Sequence, residues 1–274
     1  MCPKNTSPKK GVDLIARGQY GVNPLGTATF IGLRALDPIL QYHLIHPTKG
    51  LLASLFSKFS ISTIPVSSLP TVSFLSLSLP LPHWIIISLS SIAALKQIFW
   101  LLYTNKEVVT PSTAVAVGTF NSVVNSINSA FFIASATSAV YATPQITIPV
   151  LNEQVSLPVA LGALSFFVGI AMETVPEIQR KFFKEDPTNR FRICDVGLWG
   201  WARHINYGAY AIWRAGYGLA AGGWGAGIFM GAWQVGHFVT HSMGLMDDYM
   251  AGKYGAKWEA HKRKVKYLLV PGIY

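Results

Sequence analysis

Long apolar segments are the feature that most constrains this chain. Each is close to the roughly 20 residues that a helix needs to cross the hydrocarbon core of a bilayer. Only 12% of the 274 residues are charged, about half the fraction that soluble domains carry. The sequence therefore predicts an all-α fold, a multi-pass integral membrane helical bundle. We predict six transmembrane helices, at residues 25–45, 83–103, 113–141, 157–175, 207–221 and 224–245.

The distribution of basic residues predicts how these spans are oriented. The formal net charge is +10. Six crossings place all the basic segments on one side of the membrane, which the positive-inside rule identifies as the cytosol. We therefore expect both termini in the cytosol, and the lipid bilayer rather than nucleic acid as the partner of these segments. The basic segments are residues 9–17, 104–107, 179–192 and 257–266.

Residues 197–210, GLWGWARHINYGAY, concentrate aromatic and cationic side chains. If the chain is helical from residue 203, a stripe of such side chains alternates by four and three residues along one face, and that face cannot point to lipid. It is either an aromatic belt whose arginines reach the headgroups or the wall of a cytosol-facing cavity for an anionic cofactor. The stripe is Arg203, Tyr207, Tyr210, Arg214 and Tyr217.

Two further patterns predict structural roles rather than a binding site. Gly223, Gly227 and Gly231 recur every fourth residue, as in the ridges of small residues on which membrane helices pack. His237 and His241 have a spacing found in metal sites. No third ligand is evident beside them, so we interpret them as polar residues of a helix face and predict no metal site.

Charged residues inside the predicted spans need partners, because an unpaired charge is costly in a membrane. Arg34 and Asp37 are three residues apart and are expected to neutralise each other. Glu173 lies at the end of the fourth span and is expected to pair with a neighbouring cation. The Ser/Pro-rich residues 46–82 do not favour a long regular helix.

Three motifs follow one another in the last hundred residues: QRKFFKEDP at 179–187, GLWGWARHINY at 197–207 and KYGAKWEAHKRKVKYLLVPGIY at 253–274. In this order they resemble the C-terminal half of the sterol-reductase and steroid 5-alpha-reductase superfamily. That group includes the DUF1295 proteins and, more distantly, isoprenylcysteine carboxyl methyltransferases. The resemblance covers about residues 173–274, whereas the first 170 residues share only their hydrophobic character with the group.

The resemblance implies a cytosol-facing site for NADPH and candidate proton donors beside it. The implied proton donors are Tyr207, Tyr210 and Asp247. The implied cofactor-binding residues are Arg180, Lys184, Trp199, Arg203, His204, Asn206, Tyr207, His241, Lys253, Tyr254, Gly255 and Trp258.

The sequence departs from the group's motifs at several positions. Ile205 stands where the motif R-H-P-N-Y has proline, and Tyr210 stands where an acidic residue usually follows. Leu245, Met246 and Asp247 occupy the motif R-D-E. Two alternatives to a reductase therefore stay open. One is a methyltransferase that uses S-adenosylmethionine, and the other is a non-redox member such as an isomerase, a cyclase or a lipid-binding scaffold.

The expected activity is the reduction of a carbon–carbon double bond in a lipophilic small-molecule substrate, with hydride from the nicotinamide. The expected location is the endoplasmic reticulum. Residues 1–24 would be a cytosolic tail, residues 25–172 would hold the helices around the substrate, and residues 173–274 would form the cofactor region.

The predicted topology can be tested with a protease in sealed microsomes. A tag at either terminus should be digested without detergent, because all basic segments are predicted to lie on the cytosolic side. A lumenal tag on a secreted control protein should survive until detergent is added. Protection of the C-terminal tag would contradict six spans and a cytosolic site.

Overall fold

The computed structural model describes residues 16–74, 76–149 and 152–274. The chain is mostly helical there. Asn23, Thr110 and Ser156 each cap a helix by accepting a hydrogen bond from a backbone N–H in its first turn, where a proline also lies. Lys9 and Lys10 of the predicted cytosolic tail lie outside the described residues. The helices are α1 (Pro24–Ile45), α2 (Leu51–Lys58), α3 (Leu81–Phe99), α4 (Pro111–Ile133), α5 (Leu157–Glu185), α6 (Ile205–His237), α7 (Met243–Tyr254) and α8 (Ala256–Lys264).

The six predicted spans fall on α1, α3, α4, α5 and the two arms of α6. Three boundaries were wrong: α4 ends at Ile133 instead of residue 141, α5 continues to Glu185 instead of ending at residue 175, and α6 ends at His237 instead of residue 245. Two helical stretches, Leu81–Thr104 and Leu157–Glu185, are long and apolar enough to cross a bilayer. The other four segments stay predicted spans.

Two antiparallel hairpins were not predicted by the all-α interpretation. They are β1 (Thr71–Phe74) with β2 (Leu77–Pro80), and β3 (Gln145–Ile148) with β4 (Glu153–Ser156). Each leads directly into a helix, β2 into α3 and β4 into α5. Val72 of β1, two isoleucines of β3 and Val155 of β4 pack in one apolar cluster. A two-stranded hairpin of such short strands is marginally stable by itself, so it depends on packing against the helix ends.

The helices α5 and α6 pack so closely that their backbones touch. A Cβ atom on Gly162 would lie 2.4 Å from the backbone nitrogen of Ala220, and one on Gly216 would lie 2.6 Å from that of Phe166. Glycine at both positions therefore permits a contact that any side chain would block. The ring of Phe166 packs against Trp213 beside this contact, with the ring centroids 5.7 Å apart.

A turn of glycines divides α6 into two arms that fold back on each other. Gly222 and Gly223 leave the helical conformation, and Gly223 has φ +69°, which favours glycine. The predicted packing of small residues is confirmed at Gly227 and Gly231. A Cβ atom there would lie 2.9 Å from Leu219 Cβ and 3.1 Å from Ala215 Cβ, respectively. Gly223 itself makes the turn rather than the helix contact.

Charged residues inside the helices have the partners that the sequence predicted. Arg34 Nη2 lies 3.3 Å from Asp37 Oδ2, and both side chains are fully buried. Glu173 pairs with the ammonium group of Lys96 on α3. It also accepts a hydrogen bond from Trp213 Nε1 at 2.7 Å, so one carboxylate joins α3, α5 and α6.

The close contact of α5 and α6 predicts a marked difference between two glycine substitutions in α6. Gly216→Ala would push a methyl group into the backbone of Phe166 and should destabilise the protein by about 1–3 kcal/mol. Gly225→Ala is the matched control, because a Cβ atom at Gly225 has no atom within 4 Å. Thermal unfolding of both variants in the same detergent would measure the difference. Equal midpoints would contradict a backbone contact at Gly216.

Candidate functional site

The candidate site lies where the end of α5 meets the beginning of α6. The segment that connects the two helices folds back over α5. In it, Trp199 Nε1 donates a hydrogen bond to the Pro176 carbonyl oxygen at 2.6 Å, and the Leu198 N–H donates to Gln179 Oε1 at 3.0 Å. Gly197 has φ +57° in this turn. The buried indole of Trp199 therefore fixes the segment against the helix end.

A buried carboxylate links three of the predicted cofactor residues. Glu177 Oε1 accepts a hydrogen bond from Asn206 Nδ2 at 3.1 Å, and Glu177 Oε2 pairs with Arg180 Nη2 at 2.5 Å. The Arg180 guanidinium carbon lies 5.4 Å from the centre of the Trp199 ring. The Glu177 side chain is only 6% exposed, so this carboxylate is satisfied by the two contacts rather than by water.

Three stacked rings form the inner wall of the site. The rings of His204 and Tyr207 are 5.3 Å apart and almost parallel, and Tyr207 stacks on Phe238 at 4.5 Å. Burial, assisted by the positive charge of Arg203, lowers the pKa of His204 to about 4. His204 is therefore a neutral ring at pH 7, which suits a position inside an aromatic stack.

Cations gather near this wall, at the end of α5 and on α7. Lys184 Nζ lies 3.3 Å from the Tyr254 hydroxyl oxygen, and Lys253 Nζ lies 3.0 Å from that of Tyr249. Lys184 is within electrostatic range of both Arg180 and Lys253. Like charges this close favour an anion between them. Beside Lys253 is an open cavity of about 490 Å³, lined by Gly18, Tyr20, Asp248, Tyr249, Gly252 and Lys253.

Arg203 does not lie on the predicted helical stripe, because α6 begins only at Ile205. Its guanidinium Nη1 donates hydrogen bonds to the carbonyl oxygens of Lys262 and Val265, at 3.2 and 2.7 Å. Cations are favourable at the C-terminal end of a helix, where carbonyl groups lack intrahelical partners. Arg203 thus attaches the end of α8 to the segment before α6.

Three other predicted site residues, Asp247, Gly255 and Trp258, lie on or between α7 and α8, and a fourth, His241, lies just before α7. Asp247 Oδ1 accepts a hydrogen bond from Trp258 Nε1 at 2.7 Å, and its other oxygen lies 3.6 Å from Lys262 Nζ. Gly255 has φ +54° and makes the turn between the helices. The ring of His241 lies 5.5 Å from that of His237. The contacts of Asp247 and Trp258 hold α8 against α7.

Tyr210 lies deeper in the bundle, next to Arg214. Its hydroxyl oxygen accepts hydrogen bonds from Arg214 Nε and Nη2 at 3.1 and 2.9 Å. Because Arg214 donates both bonds, they do not use the phenolic hydrogen of Tyr210. Arg214 also donates to Asn121 and, at 3.0 Å, to Asn125 Oδ1.

From Asn125 the hydrogen bonds continue to α1. Asn125 Nδ2 donates to Asp37 Oδ2 at 2.6 Å, and Gln41 Nε2 donates to Asp37 Oδ1 at 3.0 Å. Ser129 Oγ donates to Gln41 Oε1 at 2.7 Å, and Gln97 Nε2 donates to Asn121 Oδ1 at 2.8 Å. We call this set the interior cluster. Its members are Arg34, Asp37, Gln41, Gln97, Asn121, Asn125, Ser129, Tyr210 and Arg214.

The sequence prediction missed Glu177 and the asparagines of α4. Glu177 precedes Arg180 by three residues, a spacing at which opposite charges on a helix meet. Asn121 and Asn125 are four residues apart and so share a helix face. Polar amides on one face of an otherwise apolar span indicate a polar interior, and that signal was present in the sequence.

Comparisons with known proteins agree with the predicted family. Residues 116–264 match the family model described as "Protein of unknown function (DUF1295)". The chain is 31% identical to "Probable O-methyltransferase ustE" of Ustilaginoidea virens, over 88% of this chain and 83% of that protein. It is 26% identical to "Delta(14)-sterol reductase ERG24B" of Gibberella zeae, over 43% of this chain and only 34% of that protein.

The buried position of His204 predicts that the protein loses stability in mild acid. The pKa of His204 is about 4 in the folded protein, whereas its ordinary value is 6.5. Between these pH values the unfolded chain therefore binds a proton at His204 that the folded chain does not bind. Stability should therefore fall as the pH decreases from about 6.5 towards 4, by up to about 3 kcal/mol from this group. His204→Gln should reduce that slope in thermal unfolding measured across this pH range.

The exposed His43→Gln variant is the control for the loss of a histidine as such. The comparison uses the change of the unfolding midpoint with pH rather than the midpoint itself. Loss of the ring stack lowers the midpoint at every pH, whereas proton uptake changes its dependence on pH. An unchanged slope in His204→Gln would contradict a neutral, buried His204.

Proposed function

Because the chain belongs to the DUF1295 family of the steroid 5-alpha-reductase group, we propose that it is a membrane-bound, NADPH-dependent reductase of a carbon–carbon double bond in a lipophilic substrate. The homologues with enzyme names support an enzymatic activity. The choice of NADPH as the cofactor rests on a group of cations at the end of α5 and on α7. They are Arg180, Lys184 and Lys253.

The charge of this site favours a phosphate-bearing cofactor. NADPH presents a pyrophosphate and a 2′-phosphate, and cations bind phosphate oxygens through strong, charge-assisted hydrogen bonds. S-adenosylmethionine carries a positive sulfonium centre, which like charges repel. Arg180 and Lys184 are spaced by one helical turn and can contact the same phosphate-bearing ligand. Lys253 would approach it from α7.

The remaining residues of the site fit the rest of such a cofactor. The Trp199 ring lies beneath the Arg180 guanidinium, and the stack of His204, Tyr207 and Phe238 offers an apolar wall. Asn206 is held by Glu177 and can keep a fixed orientation towards a ligand. When NADPH is bound, its nicotinamide supplies the hydride. The protein residues orient the two reactants and exclude water.

Tyr210 is the proton donor that the geometry supports best among the three candidates. Both Arg214 hydrogen bonds end on its hydroxyl oxygen, so a negative charge that develops there on proton loss would be stabilised. Asp247 is engaged with Trp258 and Lys262 instead. Tyr207 lies in the ring stack, nearer the cations than the bundle interior.

We propose that six helices cross the membrane with both termini in the cytosol, and that the enzyme resides in the endoplasmic reticulum. Two apolar helices support insertion. Large exposed side chains such as Leu36, Leu102, Leu164, Phe167 and Ile228 cover the outside of the described helices. Such a surface suits lipid better than water.

A second candidate is an O-methyltransferase that uses S-adenosylmethionine. The name of the Ustilaginoidea virens relative favours it, since that protein is similar to the chain over most of both lengths. The two candidates differ in the charge of the cofactor, and cofactor binding therefore separates them.

The test is cofactor binding to the purified full-length protein in lipid nanodiscs. The wild-type protein should bind NADPH more tightly than NADH, and bind S-adenosylmethionine weakly. The double variant Arg180→Gln/Lys184→Gln should lose about tenfold or more in NADPH affinity and little in NADH affinity. Higher salt should erode the wild-type preference, because an exposed phosphate site is screened.

Lys257→Gln is the matched control, because this exposed lysine lies on α8, away from the cations named above. Tight binding of S-adenosylmethionine with no binding of either nicotinamide nucleotide would support the methyltransferase instead. If the double variant bound NADPH as the wild-type protein does, Arg180 and Lys184 would not be the phosphate ligands.

A further inference from the structure

The chain before α1 is held in place by main-chain hydrogen bonds. We call residues 17–21 the N-terminal segment. It runs antiparallel to the loop that precedes α4: the Gly21 N–H donates to the Lys106 carbonyl oxygen at 3.1 Å, and the Val108 N–H donates to the Gln19 carbonyl oxygen at 2.9 Å. Pairing of this kind uses backbone groups only. A substitution of a side chain in the segment therefore leaves the path of its backbone intact.

The N-terminal segment also contacts α7 at the candidate cofactor site. Lys253 Nζ donates a hydrogen bond to the Tyr20 hydroxyl oxygen at 3.2 Å, as it does to that of Tyr249 at 3.0 Å. Tyr20 and Tyr249 both line the cavity of about 490 Å³ beside Lys253. Arg17 Nη1 lies 4.0 Å from Met246 Sδ. The segment therefore forms one side of this cavity.

The half-buried side chain of Arg17 approaches the same tyrosine as Arg180 does. The guanidinium groups of Arg17 and Arg180 both lie within electrostatic range of the Tyr207 hydroxyl group. Tyr207 belongs to the stacked rings of the inner wall, where it packs on Phe238. Two cations from distant parts of the chain thus converge on one ring of the site. Such convergence favours the binding of an anion.

We propose that Arg17 is a further cofactor-binding residue, which contacts the pyrophosphate of the nicotinamide nucleotide from the N-terminal segment. The inference deepens the proposed function, on which it rests for the identity of the ligand. A nicotinamide ring against the wall at Tyr207 leaves the neighbouring pyrophosphate near Arg17, and a guanidinium can bind two phosphate oxygens at once. The segment lies outside residues 116–264, which match the family model, so the family match does not include this residue.

The test compares NADPH and NADH binding by the wild-type protein and by Arg17→Gln, both full-length and in lipid nanodiscs. Arg17→Gln should lose about tenfold in affinity for each nucleotide, because both contain the pyrophosphate. The double variant Arg180→Gln/Lys184→Gln should instead lose affinity mainly for NADPH. Unchanged binding of both nucleotides by Arg17→Gln would overturn the proposal. A loss confined to NADPH would also overturn it, because the contact would then be with the 2′-phosphate.

Two further variants separate a contact with the ligand from a general effect of charge. Arg17→Lys should bind both nucleotides with an affinity between those of the wild-type protein and Arg17→Gln, because it keeps the charge but not the planar fork. Arg190→Gln removes an exposed arginine after α5 and should match the wild-type protein. If Arg190→Gln weakened both nucleotides as much as Arg17→Gln does, the effect would be one of net charge, and the proposal would be overturned.

Inorganic pyrophosphate separates a failure of this proposal from a failure of the proposed function. If the wild-type protein binds NADPH and Arg17→Gln binds it equally well, only the contact at Arg17 is overturned. If neither nucleotide binds, the reductase is overturned, and equilibrium dialysis with radiolabelled pyrophosphate decides about Arg17. Weaker pyrophosphate binding by Arg17→Gln than by the wild-type protein would then support the anion site. Equal binding by the two proteins, or none, would overturn it.

Discussion

The buried carboxylate of Asp37 sets the relative positions of three helices. It accepts hydrogen bonds from Arg34 and Gln41 on its own helix and from Asn125 on α4, which in turn accepts from Arg214 on α6. Sliding any of these helices by one turn, about 5.4 Å, would break several bonds that water cannot replace inside an apolar bundle. Apolar contacts alone would tolerate such a shift more readily, so the polar cluster specifies the register.

The helix α5 is positioned by different means. Glycines remove the side chains between α5 and α6, and Glu173 ties α5 to Lys96 of α3 and to Trp213 of α6. The same helix then continues past the predicted end of its span and carries Glu177 and Arg180 to the candidate cofactor site. The position of Glu177 and Arg180 relative to α6 therefore depends on the backbone contact deeper in the bundle.

Sequence patterns predicted the helices better than the contacts between them. Apolar segments located all six long helical stretches, because length and composition directly reflect the core of a bilayer. The pairing of Arg34 with Asp37 was also predictable, since both lie on one helix. The partners of Arg203 were not, because they come from carbonyl groups of α8 about 60 residues away in the chain, and no side-chain pattern records a backbone acceptor. The hairpins were missed because four-residue strands give almost no periodic signal.

One face of α6 connects the candidate cofactor site with the interior cluster. Tyr207, Tyr210 and Arg214 follow one another on it, and the step of seven residues from the first to the last covers about 10 Å. A cofactor ring beside Tyr207 would therefore lie about 10 Å from Arg214, with Tyr210 between them. Tyr207 also stacks on Phe238 at the beginning of this face. The Tyr210 hydroxyl oxygen, which accepts both Arg214 hydrogen bonds, therefore lies between the two regions.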